Sequence, residues 1–178
     1  MMLKDVLLYL LSYYSSCVQE WLGGRKKIQK LMFLVDYDVE GSAVRKLGLS
    51  GAEYKILVYG PYSDDVANAI EELVEEGKVE EIIISKGFSQ RRLTDKFLEE
   101  LKYEDGRLYL YRPITPAPKL RPMVKERVEY VVDRYGGLSG GYLEKFISEK
   151  LRLTPVVKEK YFGVTIDEYL GKLAKHLC

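Results

Sequence analysis

The stretch YKILVYGPYSDDVANAIEELVEEGKVEEIII, residues 54–84, decides the fold class. Its first six residues form a β-prone run that Gly60-Pro61 stops. Pro61 sets its own φ and disfavours the helical region for Gly60, and glycine accepts whatever φ the turn then requires. Ser63 follows as an N-cap, with Asp64 and Asp65 in the first turn, where the helix dipole favours acids. Val66, Ala69, Ile70, Leu73 and Val74 recur at helical steps, and Gly77 is a natural stop. Residues 79–84 then read as a strand. A strand, a helix and a strand in one short stretch make the chain a mixed one.

Working outward, Leu3, Leu7, Leu10, Leu11, Tyr14, Val18 and Trp21 predict a first helix ended by Gly23-Gly24. A second starts at Arg25, with Ile28, Leu31, Met32, Val35 and Val39 on its apolar stripe. Its lysines come first and its acids last, which opposes the helix dipole, so burial must stabilise it. Residues 41–51 read as a loop or short helical turn. After residue 84 the pattern predicts a turn at 86–90 around Gly87, a returning strand at 91–93, a short helix from Thr94 through Leu101, and a strand at 107–112. Pro113, Pro116, Pro118 and Pro122 mark an extended connector. Beyond it, Val124 to Tyr135 gives one helix, and Ser139 caps another through Leu151. Thr165 with Glu168 forms a capping box that opens a last helix through Ile166, Leu170, Leu173 and Leu177. The expected class is α+β, mainly helical. A winged-helix-like core with a short β-wing spans 1–112, a Pro-rich connector 113–122, and a helical C-terminal extension 123–178 packs on the core.

Two motifs carry a family resemblance. Lys27-Ile28-Gln29-Lys30-Leu31-Met32-Phe33-Leu34-Val35-Asp36 resembles the "LQKLLFLAD" helix of the Panacea family, the domain of SocA-like antitoxins. Tyr59-Gly60-Pro61-Tyr62-Ser63-Asp64-Asp65-Val66, followed by an acidic helix, is similar to that family's "YGPYS" turn, which YwgA-like proteins share. The resemblance covers roughly residues 1–102. It implies a winged-helix-like core and a regulatory, non-enzymatic role. Some members neutralise a toxin, and SocA acts as an adaptor that delivers its toxin to a protease. The connector and the helices after it depart from the short Panacea pattern, while YwgA-like proteins also carry helical tails.

Charge narrows the partner. The chain of 178 residues is 47% apolar and 31% charged, with a net charge of +1, so no global field attracts nucleic acid or anionic lipid. By segment the net charge is +2 over 1–60, −7 over 61–84 and +6 over 85–178. The helix in the position of a recognition helix presents Asp64, Asp65, Glu71, Glu72, Glu75 and Glu76, which repel a phosphate backbone. The expected partner surface is therefore this acidic helix with Tyr59 and Tyr62, and the expected partner is a protein. The alternative is duplex DNA held by Arg25, Lys26, Lys27 and Lys30 together with the wing residues Lys86, Arg91 and Arg92. Tyr109 and Tyr111 share one strand face between Arg107 and Arg112, a combination favoured at interfaces and able to stack bases. A homodimer remains open.

Catalysis is not expected. His176 is the only histidine, and no phosphate-loop or dinucleotide motif occurs. The glycines around Ser139 lack the lysine of a phosphate loop and read as an interhelical turn. His176 and Cys178 are too few donors for a metal, so neither metal nor cofactor is expected. Cys17 and Cys178 fit two free thiols in a reducing cytoplasm, although their pairing stays open. The apolar run at 6–11 is too short to span a bilayer, and no signal peptide is evident. Side-chain amides are scarce, with only Gln19, Gln29, Asn68 and Gln90 in a highly charged chain. That composition belongs to heat-adapted proteins. A thermal scan should therefore give a melting midpoint above about 60 °C, and a lower midpoint contradicts a thermophilic origin.

Overall fold

The computed structural model describes residues 2–85 and 107–177. Its centre is a helix that is buried on every side despite its lysines. In α2 (Arg25–Asp36) every residue from Lys27 to Asp36 is buried. A helix covered all round must lie inside a layer of others. Helix α1 (Met2–Cys17) contributes Val6, Leu7, Leu10, Leu11 and Tyr14 to the same core. It ends at Cys17, short of Trp21. Gly23-Gly24 was expected to stop the helix, but Gly23 instead joins Leu22 in the short strand β1.

From α2 the chain enters β2 (Tyr37–Asp38), which pairs with β3 (Arg45–Lys46). Strands β4 (Lys55–Leu57) and β5 (Gly60–Tyr62) make a tight hairpin. Gly60-Pro61 therefore does not end the extended run. It begins the return strand, and the turn sits at Val58-Tyr59. Gly60 takes φ 90, the left-handed side that glycine tolerates. Helix α3 (Asp64–Glu75) starts as expected, with the Ser63 Oγ accepting from the Val66 N–H at 3.2 Å, and stops at Gly77 with φ 73. Strand β6 (Val79–Ser85) pairs along its whole length with β7 (Arg107–Pro113), antiparallel, Val79 opposite Pro113 and Ser85 opposite Arg107. Leu22 of β1 pairs with Tyr111, so the sheet order is β1-β7-β6. The turn, strand and helix expected within 86–101, with Lys86, Arg91 and Arg92, lie outside the described residues.

After an extended connector come α4 (Pro122–Tyr135), α5 (Gly140–Lys150), α6 (Pro155–Lys160) and α7 (Ile166–Leu177). Ser139 and Thr165 cap α5 and α7 through their hydroxyls, as their spacing predicts. Helix α6, capped by Thr154, was not expected, because its single turn carries no apolar period. Helix α4 lies against α1 and α2, and α5 lies against α2 and β5. Val128, Val132, Leu143 and Ile147 join Leu7 and Leu31 in one buried cluster. Polar ties reinforce the contact. Tyr9 donates to Glu129, Tyr13 donates to Asp133 at 2.9 Å, and Arg127 donates to the Leu34 carbonyl at 2.6 Å. The architecture is thus α+β, mainly helical, with small antiparallel sheets. Among the described residues no helix is long and apolar enough to cross a membrane.

One buried carboxylate fixes the end of α2. Asp36 accepts from the Ser50 N–H at 2.7 Å, the Ser50 hydroxyl at 2.5 Å and the Tyr54 hydroxyl at 2.8 Å. Burial pushes its carboxyl above the usual range, and these three donors pull against that. Asp36→Ala leaves three buried donors without an acceptor and should cost about 3 kcal/mol in denaturant unfolding. Asp36→Asn keeps the shape and one acceptor oxygen, and should cost clearly less.

Candidate functional site

Gln29 and Lys30 interrupt the apolar run of α2 and face the β4–β5 hairpin. The Gln29 side-chain amide donates to the Ser63 carbonyl at 2.9 Å and accepts from the Ser63 N–H at 2.9 Å. The Lys30 ammonium donates to the Tyr59 carbonyl at 2.6 Å and the Pro61 carbonyl at 2.9 Å. The helix at 27–36 thus grips the turn at 59–63 by its backbone. Glycine at 60 is required by its φ of 90, while the space around it would admit a Cβ at ordinary contact distance. A Cβ there would stand 3.4 Å from the Ser148 Oγ and 3.6 Å from the Lys30 Nζ. That Ser148 hydroxyl is itself buried and lacks a hydrogen-bond partner among the described residues. On the far edge of the hairpin, the Ile56 N–H donates to the Val164 carbonyl and the Gly163 N–H donates to the Ile56 carbonyl. These bonds place Phe162 beside the hairpin turn.

A cleft of about 1200 Å³ opens between the hairpin, the start of α2, one flank of α3, the sheet and the loop before α5. Its floor is the first turn of α2. Gly24, the N-cap, has φ 100 and no side chain with which to cap. The start of α5 approaches this turn closely, since a Cβ on Gly140 would stand 3.3 Å from the Lys27 backbone nitrogen. Cations meet rings around the floor. The Arg25 guanidinium lies 3.9 Å from the Tyr109 ring centroid, and the Lys26 ammonium lies 3.9 Å from that of Tyr59 while it pairs with Glu144 at 2.7 Å. The Lys27 ammonium donates to the Tyr14 hydroxyl at 3.1 Å, which also accepts from Gln19. Burial pulls the Lys27 pKa down to about 8 and that of Lys30 to about 7. The rim is apolar and open to solvent, with Val58 63%, Tyr59 58% and Phe162 58% exposed.

The structure divides the expected residues differently from the sequence. Tyr59 and Tyr62 both line the cleft, together with Arg25, Lys26, Lys27 and Lys30, so the proposed protein corner and the helix residues of the proposed DNA set share one site. Lys27 and Lys30, at 8% and 2% exposure, cannot form an open basic ridge. The acidic helix is partly neutralised by its own chain. Lys55 pairs with Asp64 at 2.6 Å, Asp65 accepts from the Glu53 N–H at 3.0 Å, and Lys4 reaches both Glu72 and Glu76. Glu71 and Glu75 remain outside these pairs, and Glu71 lines the cleft wall. Tyr109 and Tyr111 both line the cleft, and Tyr111 is otherwise buried. Cys17 is exposed and free, and Cys178 lies outside the described residues. No group of acids, histidines and cysteines suited to a metal occurs among the described residues.

Gln29, Val58 and Phe162 were not anticipated. Gln29 carried no separate signal, because an amide between Lys27 and Lys30 reads as one more polar position of the first turns. Val58 and Phe162 carried none, because the hairpin and the segment after α6 meet only in three dimensions. The buried Lys30 has a consequence for stability. Its folded pKa of about 7 lies below the ordinary 10.5, so between those values the unfolded chain binds more protons than the folded one. Stability should therefore rise with pH from about 7 to about 9, below the range in which tyrosines ionise. Denaturant unfolding at pH 7 and 9 should show this rise, and Lys30→Met should reduce it, leaving the smaller contribution of Lys27, whose pKa is lowered to about 8. Comparison with protein-family models, curated proteins and solved structures finds no match for the chain.

Proposed function

We propose that this chain is a non-enzymatic regulator that captures a protein partner, antitoxin- or adaptor-like, in the cleft bounded by the Tyr59 corner. One observation carries the reading: an exposed apolar rim of Val58, Tyr59 and Phe162 surrounds a cation-floored cleft. Clustered exposed rings and aliphatic side chains beside a polar floor are the composition of protein-binding hot spots. The order α1, β1, α2, α3, β6, β7 with β7 between β1 and β6 supports a winged-helix reading of the core. The grip of Gln29 and Lys30 on residues 59–63 supports the resemblance to Panacea and YwgA-like proteins, since it makes one physical unit of the two stretches that carry it.

The DNA alternative is weakened by burial. Of its four helix residues, Lys27 and Lys30 are enclosed and Lys26 is paired with Glu144, which leaves this helix start little for phosphate contact, while the wing residues Lys86, Arg91 and Arg92 lie outside the described residues. Capture from the native organism's lysate, compared between variants, tests the proposal. Val58→Asp with Phe162→Asp should abolish recovery of a specific protein while the far-ultraviolet spectrum and melting midpoint stay unchanged. Glu75→Lys on the outer face of α3 should leave recovery intact. Recovery that survives the rim changes, or that vanishes on nuclease treatment, contradicts the reading.

A further inference from the structure

Lys27 stands apart among the cations of the cleft floor. Lys26 has the Glu144 carboxylate, Lys30 has two carbonyls, and Arg25 lies over the Tyr109 ring. The Lys27 ammonium, in a residue only 8% exposed, has the neutral Tyr14 hydroxyl and, at 4.9 Å, the Tyr14 ring. No carboxylate among the described residues pairs with it. An ammonium held away from water without a counter-charge costs free energy that an incoming anion recovers. The depressed pKa of about 8 has the same origin. The uncapped first turn of α2 lies on the same floor and favours negative charge.

The walls say which anion fits. Glu71 and Glu81 also line the cleft and would repel a phosphate dianion or a polynucleotide more strongly than a single carboxylate. The volume of about 1200 Å³ is above the range of about 300–1000 Å³ usual for small molecules and suits a length of chain. The rim offers apolar contact immediately beside the charge. We propose that the cleft seats an acidic segment of a protein, one carboxylate pairing with the Lys27 ammonium while a neighbouring apolar side chain lies on the rim of Val58 and Phe162. The inference rests on the protein-capture reading and names the chemistry of the captured surface.

The test is an amide-shift titration of the full chain by nuclear magnetic resonance with three probes: a synthetic peptide of alternating Glu and Leu, its counterpart with every Glu replaced by Gln, and inorganic phosphate. The Glu peptide should shift the amides of Lys26, Lys27, Val58 and Tyr59, and the Gln peptide should bind about 10-fold more weakly. Lys27→Met should remove that discrimination and keep the melting midpoint. Should Lys27→Met fail to fold, the peptide pair on the unaltered chain decides alone. Equal binding of the two peptides, no shift at the cleft, or phosphate binding more tightly than the Glu peptide overturns the inference. The underlying reading fails separately. If Lys27→Met leaves partner capture unchanged while the rim variants abolish it, only the carboxylate pairing is wrong. If the rim variants leave capture intact, protein capture through this cleft is wrong as well.

Discussion

The backbone of residues 59–63 is held by two polar side chains from inside a buried helix, and the candidate site depends on that grip. Gln29 meets both polar groups of Ser63, and Lys30 meets the carbonyls of Tyr59 and Pro61. The bonds to Pro61 and Ser63 are buried and that to Tyr59 partly so, and releasing the hairpin would strand an ammonium and an amide inside the core. The hairpin is therefore pinned even though its strands are short and its turn is exposed. Because the turn is pinned, Tyr59 stays over Lys26, Tyr62 stays on the cleft wall, and Ser63 stays in position to cap α3.

The same construction explains why cations collect where they do. Helix α2 is enclosed by α3, α4, α5 and the hairpin strand β5, which leaves its first turn as the part that reaches a cavity. Lysines there oppose the helix dipole, a local cost that burial of the apolar residues behind them outweighs. The result is a positive floor under an apolar rim. The acids of α3 contribute less than their number implies. Asp64, Glu72 and Glu76 are paired with lysines of the chain itself, and Asp65 with a backbone N–H. The open surface of highest chemical contrast is the cleft, not the acidic helix.

Much of the fold was legible because it was written locally. Ser63, Ser139 and Thr165 marked helix starts by their caps, Gly77 marked a helix end, and the prolines marked the connector. The α2 charge order correctly demanded burial. What misled was contact between distant segments. Trp21 and Gly23-Gly24 read as a helix end, but Leu22 finds a strand partner in Tyr111, far along the chain. Gly60-Pro61 read as a stop, but Pro61 lies on a hairpin where its missing N–H costs nothing. At the site, Tyr59 and Tyr62 were chosen for their turn. Lys27 and Lys30 were chosen as exposed cations, and their burial gives them the opposite character. Phe162 could not have been chosen, because only the pairing of residues 163–166 with β4 brings it to the rim.

The central claim is that this rim, and not the acidic face of α3, meets a protein. A photo-reactive phenylalanine placed at position 59, and separately at position 75, in cells of the native organism tests it most directly. The account predicts irradiation-dependent adducts to one protein from position 59 and none to that protein from position 75. Adducts to nucleic acid from position 59, or equal yields of the same protein adduct from both positions, would contradict it.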